Sequence, residues 1–378
     1  MASSPEPRCE IDDGAATRVP AQRPDFQRRL VCILGLPFDA ITLAEAVQRV
    51  REDAFSNRRC FVSTPNLNFA MAAQTDPEFR GSVLRSDLSL VDGMPLVWIA
   101  RLLGVPVPMR VAGSALFEAL VEHPAPVLSV YFFGGPSGAA AAASERVNRR
   151  AGGVHCVGFD SPGIGSVESL STVEHIERIN RSGAQFVVVA LGAKKGQAWI
   201  ERNAGRLVAP VVSHLGAVVN FAAGALRRAP TWMQQSGLEW LWRIKEEPQL
   251  WRRYWNDGRG VLRIAATRVL PDAITRRSDA TSAGVTPIAS PGQTTLRLHG
   301  AWIDTRGLES FAGHLADCAK CETAVIVDLR EVTEVGNRLA ALLLVACGWF
   351  GRHGGFRVVG AKGKVARSLY RKAVILDC

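Results

Sequence analysis

The sequence of 378 residues has no apolar run long enough to cross a membrane as a helix. Its longest, Leu339–Phe350, falls far short of the roughly 20 residues a span requires. Residues 1–29 are polar, rich in Pro, Arg and acidic side chains, and lack the apolar core of a secretory signal peptide. A cytoplasmic location is the expectation. Disulfide frameworks are not indicated either: the eight cysteines, at 9, 32, 60, 156, 318, 321, 347 and 378, are scattered, and free buried thiols are the default in a reducing compartment. Cys318-Ala-Lys-Cys321 has no second pair and no neighbouring His, too few ligands for a zinc site. Walker A and Gly-x-Gly-x-x-Gly phosphate loops are absent, as is any internal repeat. Acidic residues are in the minority, 35 against 45 basic, for a net charge of +10.

Apolar residues make up 47% of the chain and charged ones 21%, the balance of a globular protein rather than a disordered one. Length suggests two or three domains at roughly 100–200 residues each. Residues 1–28 read as a disordered leader. From 30 to about 215, short Val-, Leu- and Phe-rich runs alternate with helical stretches. The runs 60–63, 88–91, 127–133, 154–157, 186–191 and 208–212 are predicted strands buried on both faces. Helices are predicted at 68–73, 77–85, 95–103, 114–121, 137–150, 173–181 and 197–204. This alternation implies an α/β fold, a mostly parallel sheet covered by helices, with ligands expected at loops beyond the carboxyl ends of the strands. Residues 271–294 have the Pro/Ser/Thr/Gly composition of a linker. A smaller unit follows, with strands at 295–298, 324–329 and 356–359 and helices at 308–319, 339–352 and 364–372.

Five stretches carry chemistry. Thr64-Pro65-Asn66 lies between a strand and a helix, where Thr and Asn either cap the helix or hydrogen-bond a ligand at its N-terminus. Asp92-Gly93 ends another strand. It is either a plain turn or a carboxylate placed to take a proton from a hydroxyl nucleophile. Phe133-Gly134-Gly135-Pro136-Ser137-Gly138 is a turn whose amides can cradle phosphate. Gly192-Ala193-Lys194-Lys195-Gly196-Gln197 sets two lysines at a strand-to-helix turn, facing an anion or simply solvated. The segment 224–254 interleaves Arg and Trp. Five of the nine tryptophans lie at 232, 240, 242, 251 and 255, and residues 225–277 carry eleven basic and five acidic side chains, a net of +6. Nucleic-acid binding, an interfacial membrane helix and an ordinary core with a basic face all fit that composition.

In order and spacing these stretches resemble the WecG/TagA/CpsF family of bacterial glycosyltransferases over about residues 30–270. The matching pieces are Thr64-Pro65-Asn66, Asp92-Gly93, Arg110-Val111-Ala112-Gly113, Phe133-Gly134-Gly135, Leu191-Gly192-Ala193, Leu215-Gly216-Ala217 with Asn220-Phe221 and Gly224, and Arg228-Ala229-Pro230 through Gly237-Leu238-Glu239-Trp240 to Arg252-Arg253-Tyr254. The resemblance implies a Rossmann-like core at 29–270, with a basic helical appendage at 225–270 that contacts the membrane and closes over the site. It implies inverting transfer of a sugar of N-acetylhexosamine, hexuronic acid or hexose type. The donor would be a UDP-sugar and the acceptor a polyprenyl-diphosphate-linked saccharide in the inner leaflet, in cell-surface polysaccharide synthesis. Peripheral association with that leaflet follows, and the charge of 225–277 is then assigned to membrane rather than nucleic acid.

Carried over residue by residue, Asp92 resembles the catalytic base, Thr64 and Asn66 active-site residues beside it, and Arg110 a substrate-binding residue. Gly134, Gly135, Gly192, Lys195, Gln197 and Asn220 fall in substrate-binding stretches. No metal or other cofactor is implied, and the sequence has no Asp-x-Asp to hold a metal–diphosphate complex. Cationic side chains would then neutralise the leaving UDP, with Arg227, Arg228, Arg252 and Arg253 as candidates that also suit membrane contact.

There are departures from the family pattern. Met109 stands where Glu is usual, Lys194 for Pro, Gly196 for a functional Gln, Gln197 at a Glu position and Asn220 for Asp. Gln197 covers the missing amide only if a shift of about 100° around the helix is tolerated. These changes bear on donor identity first and on activity second. Residues 295–378 resemble a STAS domain, through element order and Val325–Thr333. The turn Gly336-Asn337-Arg338-Leu339 lacks a hydroxyl to phosphorylate, which points to a protein-docking or nucleotide-sensing module. The competing reading is a degenerate transferase that recruits partners through this unit.

Overall fold

The computed structural model describes residues 24–150, 152–224, 229–230, 232–233, 238–246, 251, 258–260, 263–274, 283–303 and 307–376. Among the described residues the first element is a hairpin, β1 (Leu30–Ile33) and β2 (Leu36–Asp39). Leu34 and Gly35 form its turn with φ of 52° and 78°, the pair of positive values that matches a two-residue turn to strand twist. The composition gave no hint of these strands. Helix α1 (Leu43–Phe55) follows, opened by a capping box between Thr42 and Glu45.

The central sheet contains β3 (Cys60–Ser63), β4 (Leu88–Ser89), β5 (Leu128–Gly134), β6 (Val154–Asp160), β7 (Phe186–Ala190) and β8 (Val211–His214). All are parallel, in the order β4-β3-β8-β7-β5-β6. The predicted α/β architecture is therefore the observed one. Connecting helices are α2 (Leu67–Ala72), α3 (Pro77–Leu84), α4 (Met94–Leu102), α5 (Gly113–Glu122), α6 (Ala139–Arg149), α7 (Val173–Arg181), α8 (Ala193–Asn203) and α9 (Val218–Ala223). One face of the sheet buries Val130, Phe132, Phe186 and Val188 under α1, α5 and α6. The other buries Tyr131, Phe133, Val187 and Val189 under α7 and α8, with Trp199 stacked on Phe133 at 4.5 Å. Alternate residues of one strand thus feed two cores, as the two-residue period of a strand requires.

A second sheet has the order β12-β11-β10-β9, formed by β9 (Gly284–Ser290), β10 (Gln293–Trp302), β11 (Ala324–Val335) and β12 (Phe356–Val359). β9 lies inside the stretch whose composition suggested a linker. Pro287 and its exposed neighbours belong there because it is an edge strand, where a missing N–H costs no ladder bond. Helices Leu308–Lys320, Asn337–Phe350 and Gly363–Arg371 cover this sheet.

The hydrophobic core does not stop between the two sheets. One cluster joins the β1–β2 hairpin and residues of α2, α3 and α4 to the C-terminal unit. Its axis is the helix Asn337–Phe350, in which every residue from Leu339 to Gly348 is buried. Phe350 stacks on Phe26 with ring centroids 6.0 Å apart. Gly348 lies so close to Leu84 that a Cβ there would meet the Leu84 Cβ at 2.6 Å. Lys372 and Asp272 form a largely buried ion pair of 2.7 Å between the last helix and Leu270–Ile274. Composition marks a boundary at 271–294; packing joins what lies on either side of it. Cys32, Cys60, Cys156 and Cys318 are buried free thiols and Cys321 an exposed one, whereas Cys347 is disulfide-bonded, against the free-thiol expectation.

Candidate functional site

The site is assembled at the carboxyl edge of the parallel sheet, where β3 and β4 run out. Leu90 N–H donates to Ser63 O at 2.9 Å and Asp92 N–H to Pro65 O at 3.0 Å. These bonds strap the Asp92 turn to Thr64-Pro65-Asn66. Gly93 follows with φ of 127° and begins α4, a conformation that side chains rarely adopt. Val111 N–H donates to Val91 O at 2.9 Å, which draws Arg110 beside Asp92. Arg110 Nε lies 3.7 Å from Asp92 Oδ1, and Arg110 Nη2 lies 2.6 Å from Glu239 Oε2. Glu239 is the first residue of the helix Glu239–Glu246. One guanidinium thus spans a strand-end carboxylate and a carboxylate supplied by the basic appendage. All three side chains are partly accessible, Asp92 the most at 26%. Arg110 Nε is buried and has no hydrogen-bond partner among the described residues.

Thr64 is buried against Gly113, where a Cβ would come within 3.2 Å of Thr64 Oγ1. Asn66 caps α2, its Oδ1 accepting from Phe69 N–H at 3.2 Å, and it flanks the Asp92-Gly93 turn. Capping and proximity to the site are both realised in this residue. Among residues expected at the site, Thr64, Asn66, Asp92 and Arg110 are brought together. Glu239 joins them although sequence reasoning gave it no role. Its signal was a carboxylate inside a block that is otherwise strongly basic.

The other expected residues are placed differently. Gly134 and Gly135 have φ of 96° and 90° at the end of β5, and the Gly135 amide donates to Ala190 O at 2.9 Å. Gly192 begins α8 with φ of 82°. Lys195 Nζ donates to Gly165 O at 2.6 Å, and Lys194 Nζ to Asp76 Oδ2 at 2.8 Å. Both lysines of that turn therefore hold protein groups. Gln197 is buried, with Nε2 donating to Ser63 Oγ at 2.9 Å. The one-residue shift around α8 has carried its amide against the sheet, so it does not replace a side chain at 196. Asn220 lies on α9, which packs on α6. Arg227, Arg228, Arg252 and Arg253 lie outside the described residues.

His214, at the end of β8, occupies the space beside Gly196 and packs against Phe69. Burial pushes its imidazole down to about 4, so the ring is neutral near pH 7. Among the described residues, no group of three or more His, Cys, Asp or Glu side chains is arranged to hold a metal ion. No described helix is long and apolar enough to cross a membrane.

A parallel Rossmann-like sheet thus carries a carboxylate and a guanidinium at its carboxyl edge, and the helix that begins at Glu239 meets them there. The chain belongs to the glycosyl transferase WecG/TagA/CpsF family, whose model matches residues 31–273. Two curated relatives carry the name N-acetylglucosaminyldiphosphoundecaprenol N-acetyl-beta-D-mannosaminyltransferase. The one from Bacillus spizizenii strain W23 is 28% identical over 198 residues, 52% of this chain and 75% of the relative. The one from Bacillus subtilis strain 168 is 25% identical over 193 residues, 51% of this chain and 73% of the relative.

Proposed function

We propose that this chain transfers a sugar, with inversion, from a UDP-sugar to a polyprenyl-diphosphate-linked saccharide in cell-envelope polysaccharide synthesis. The observation that carries this reading is the Asp92–Arg110 pair at the carboxyl edge of the sheet, strapped to Thr64-Pro65-Asn66 in a chain of this family. In this reading Asp92 takes the proton from the acceptor hydroxyl as its oxygen attacks the anomeric carbon, and UDP departs from the opposite face. The relatives' names support a diphosphoundecaprenol-linked acceptor. In this reading cations of the appendage, Arg227, Arg228, Arg252 and Arg253, neutralise the leaving diphosphate.

The protein works at the inner leaflet as a peripheral enzyme. Trp232 and Trp251 are exposed at 62% and 52%, in the segment of net charge +6, and amphipathic rings beside cations suit an anionic interface. We read the C-terminal unit as STAS-like. Its β9–β10 antiparallel hairpin followed by two parallel strands, with helices between, supports that reading.

A second reading, a transferase fold kept as a binding protein, is favoured by one observation: the turn at 192–197 spends both lysines and Gln197 on protein contacts. UDP release, measured with a lipid-linked N-acetylglucosamine acceptor mimic and a panel of UDP-sugars, separates the two. Acceptor-dependent release with at least one donor supports the transferase. No release with any donor, from folded protein, favours the binding protein.

A further inference from the structure

We infer that Glu239 is a positioning residue of the transfer site, acting through Arg110 on Asp92. The inference rests on the reading of Asp92 as the base. A guanidinium offered to one carboxylate usually takes it bidentately, with two N–H···O bonds of about 2.7–2.9 Å. Arg110 does not do this. Its Nη2 edge is taken by Glu239 at 2.6 Å, while its Nε stands 3.7 Å from Asp92, beyond hydrogen-bond reach. That Nε is buried and unsatisfied, so the fork is held in a divided position at a cost the protein sustains. The geometry has a chemical consequence. A carboxylate clamped by a full guanidinium fork is stabilised as the anion and loses basicity, whereas a general base has to accept a proton as the bond forms. By drawing the guanidinium toward the appendage, Glu239 keeps Arg110 from taking Asp92 in a bidentate fork while leaving its positive charge nearby.

Position reinforces the argument. Glu239 begins a helix within a segment of net charge +6, and it is held against Arg110 rather than turned toward the neighbouring cations.

The test uses the full chain with the donor and acceptor mimic that give acceptor-dependent UDP release. Glu239→Gln keeps the shape and removes the charge. It is expected to lower kcat by roughly 10- to 100-fold, the scale of a misplacement of about 1 Å in a site, with KM for both substrates changed less than about threefold. In an Asp92→Asn background the same change is expected to cost less than about threefold more, since residues acting through one group are not additive. An unchanged kcat, a loss confined to the acceptor KM, or losses that multiply in the double variant would each overturn the inference while leaving the transferase reading intact. A wild-type chain inactive with every donor overturns that reading and this inference together.

Discussion

The ring of His214 fills the space that a side chain at Gly196 would need. A Cβ built on Gly196 would sit 2.2 Å from His214 Cδ2 and 2.8 Å from its Cγ. The Gly at 196 and the His at 214 are therefore one structural choice.

Gly196→Ala is the direct probe of that choice. In an open helix the change would gain up to about 1 kcal/mol in helix propensity. Here overpacking dominates, at roughly 1–3 kcal/mol of destabilisation. Denaturant melts of Gly196→Ala, His214→Ala and the double variant are expected to show that the loss at 196 is largely relieved once the ring is gone. Strictly additive losses would mean that the two positions are independent.

The buried His214 also gives stability a pH dependence. Its folded value is about 4 against an ordinary 6.5, so between those values the unfolded chain binds more protons than the folded one. The stability that depends on neutral His214 is full above about pH 6.5 and is lost as pH falls toward 4, by at most about 1.4 kcal/mol per unit. Asp87 works the other way. Burial raises its carboxyl from 3.8 to about 6, so its contribution is full below 3.8 and is lost as pH rises through 6. Because the two overlap, His214 shows in a comparison: wild type is expected to lose stability more steeply than His214→Asn on acidification from pH 6.5 to 4. Parallel curves would contradict it.

The common core predicts one melting transition rather than two. Phe350 is fully buried and stacks on Phe26 across the junction. Phe350→Ala is expected to cost roughly 3–5 kcal/mol and to lower a single calorimetric transition of the whole chain. Two transitions, of which only one moves, would show that the C-terminal unit folds by itself.

Much of this architecture was legible in the sequence, for reasons that can be stated element by element. The run at 186–190 is nearly all β-branched or aromatic and wholly buried, and 60–63 is a short apolar run bounded by turn signals, whereas 356–359, with an exposed Arg357, reads as the half-exposed edge strand it is. The strand expected at 208–212 begins three residues later, at Val211, directly after Pro210, which has no N–H to give a ladder. The β1–β2 hairpin was missed because Leu34-Gly35 is a weaker turn signal than Asn-Gly. β9 was missed because Pro and Ser are as natural on an exposed edge as in a linker. At the site, local motifs carried Thr64, Asn66, Asp92 and Arg110. Glu239 was not legible, since its importance comes from a contact 129 positions away from Arg110. The packing of His214 against Gly196 is equally non-local.

The appendage makes a prediction about membranes. Vesicles of anionic lipid are expected to bind the protein and neutral ones to bind it weakly, with salt releasing it, because each basic residue near an anionic surface contributes about 1 kcal/mol. Charge reversal at Arg252 and Arg253 is expected to weaken binding more than reversal at Lys362 and Lys364 in the C-terminal unit. Equal binding to both kinds of vesicle would contradict the electrostatic account.

The central claim is that Asp92 is the base of a glycosyl transfer. Its most direct test is turnover of Asp92→Asn with the donor identified from the UDP-sugar panel, beside UDP affinity measured by calorimetry. The account predicts a fall in kcat of roughly 10²–10⁴, the usual worth of a positioned general base, with UDP affinity nearly unchanged. Turnover close to wild type in Asp92→Asn would contradict it.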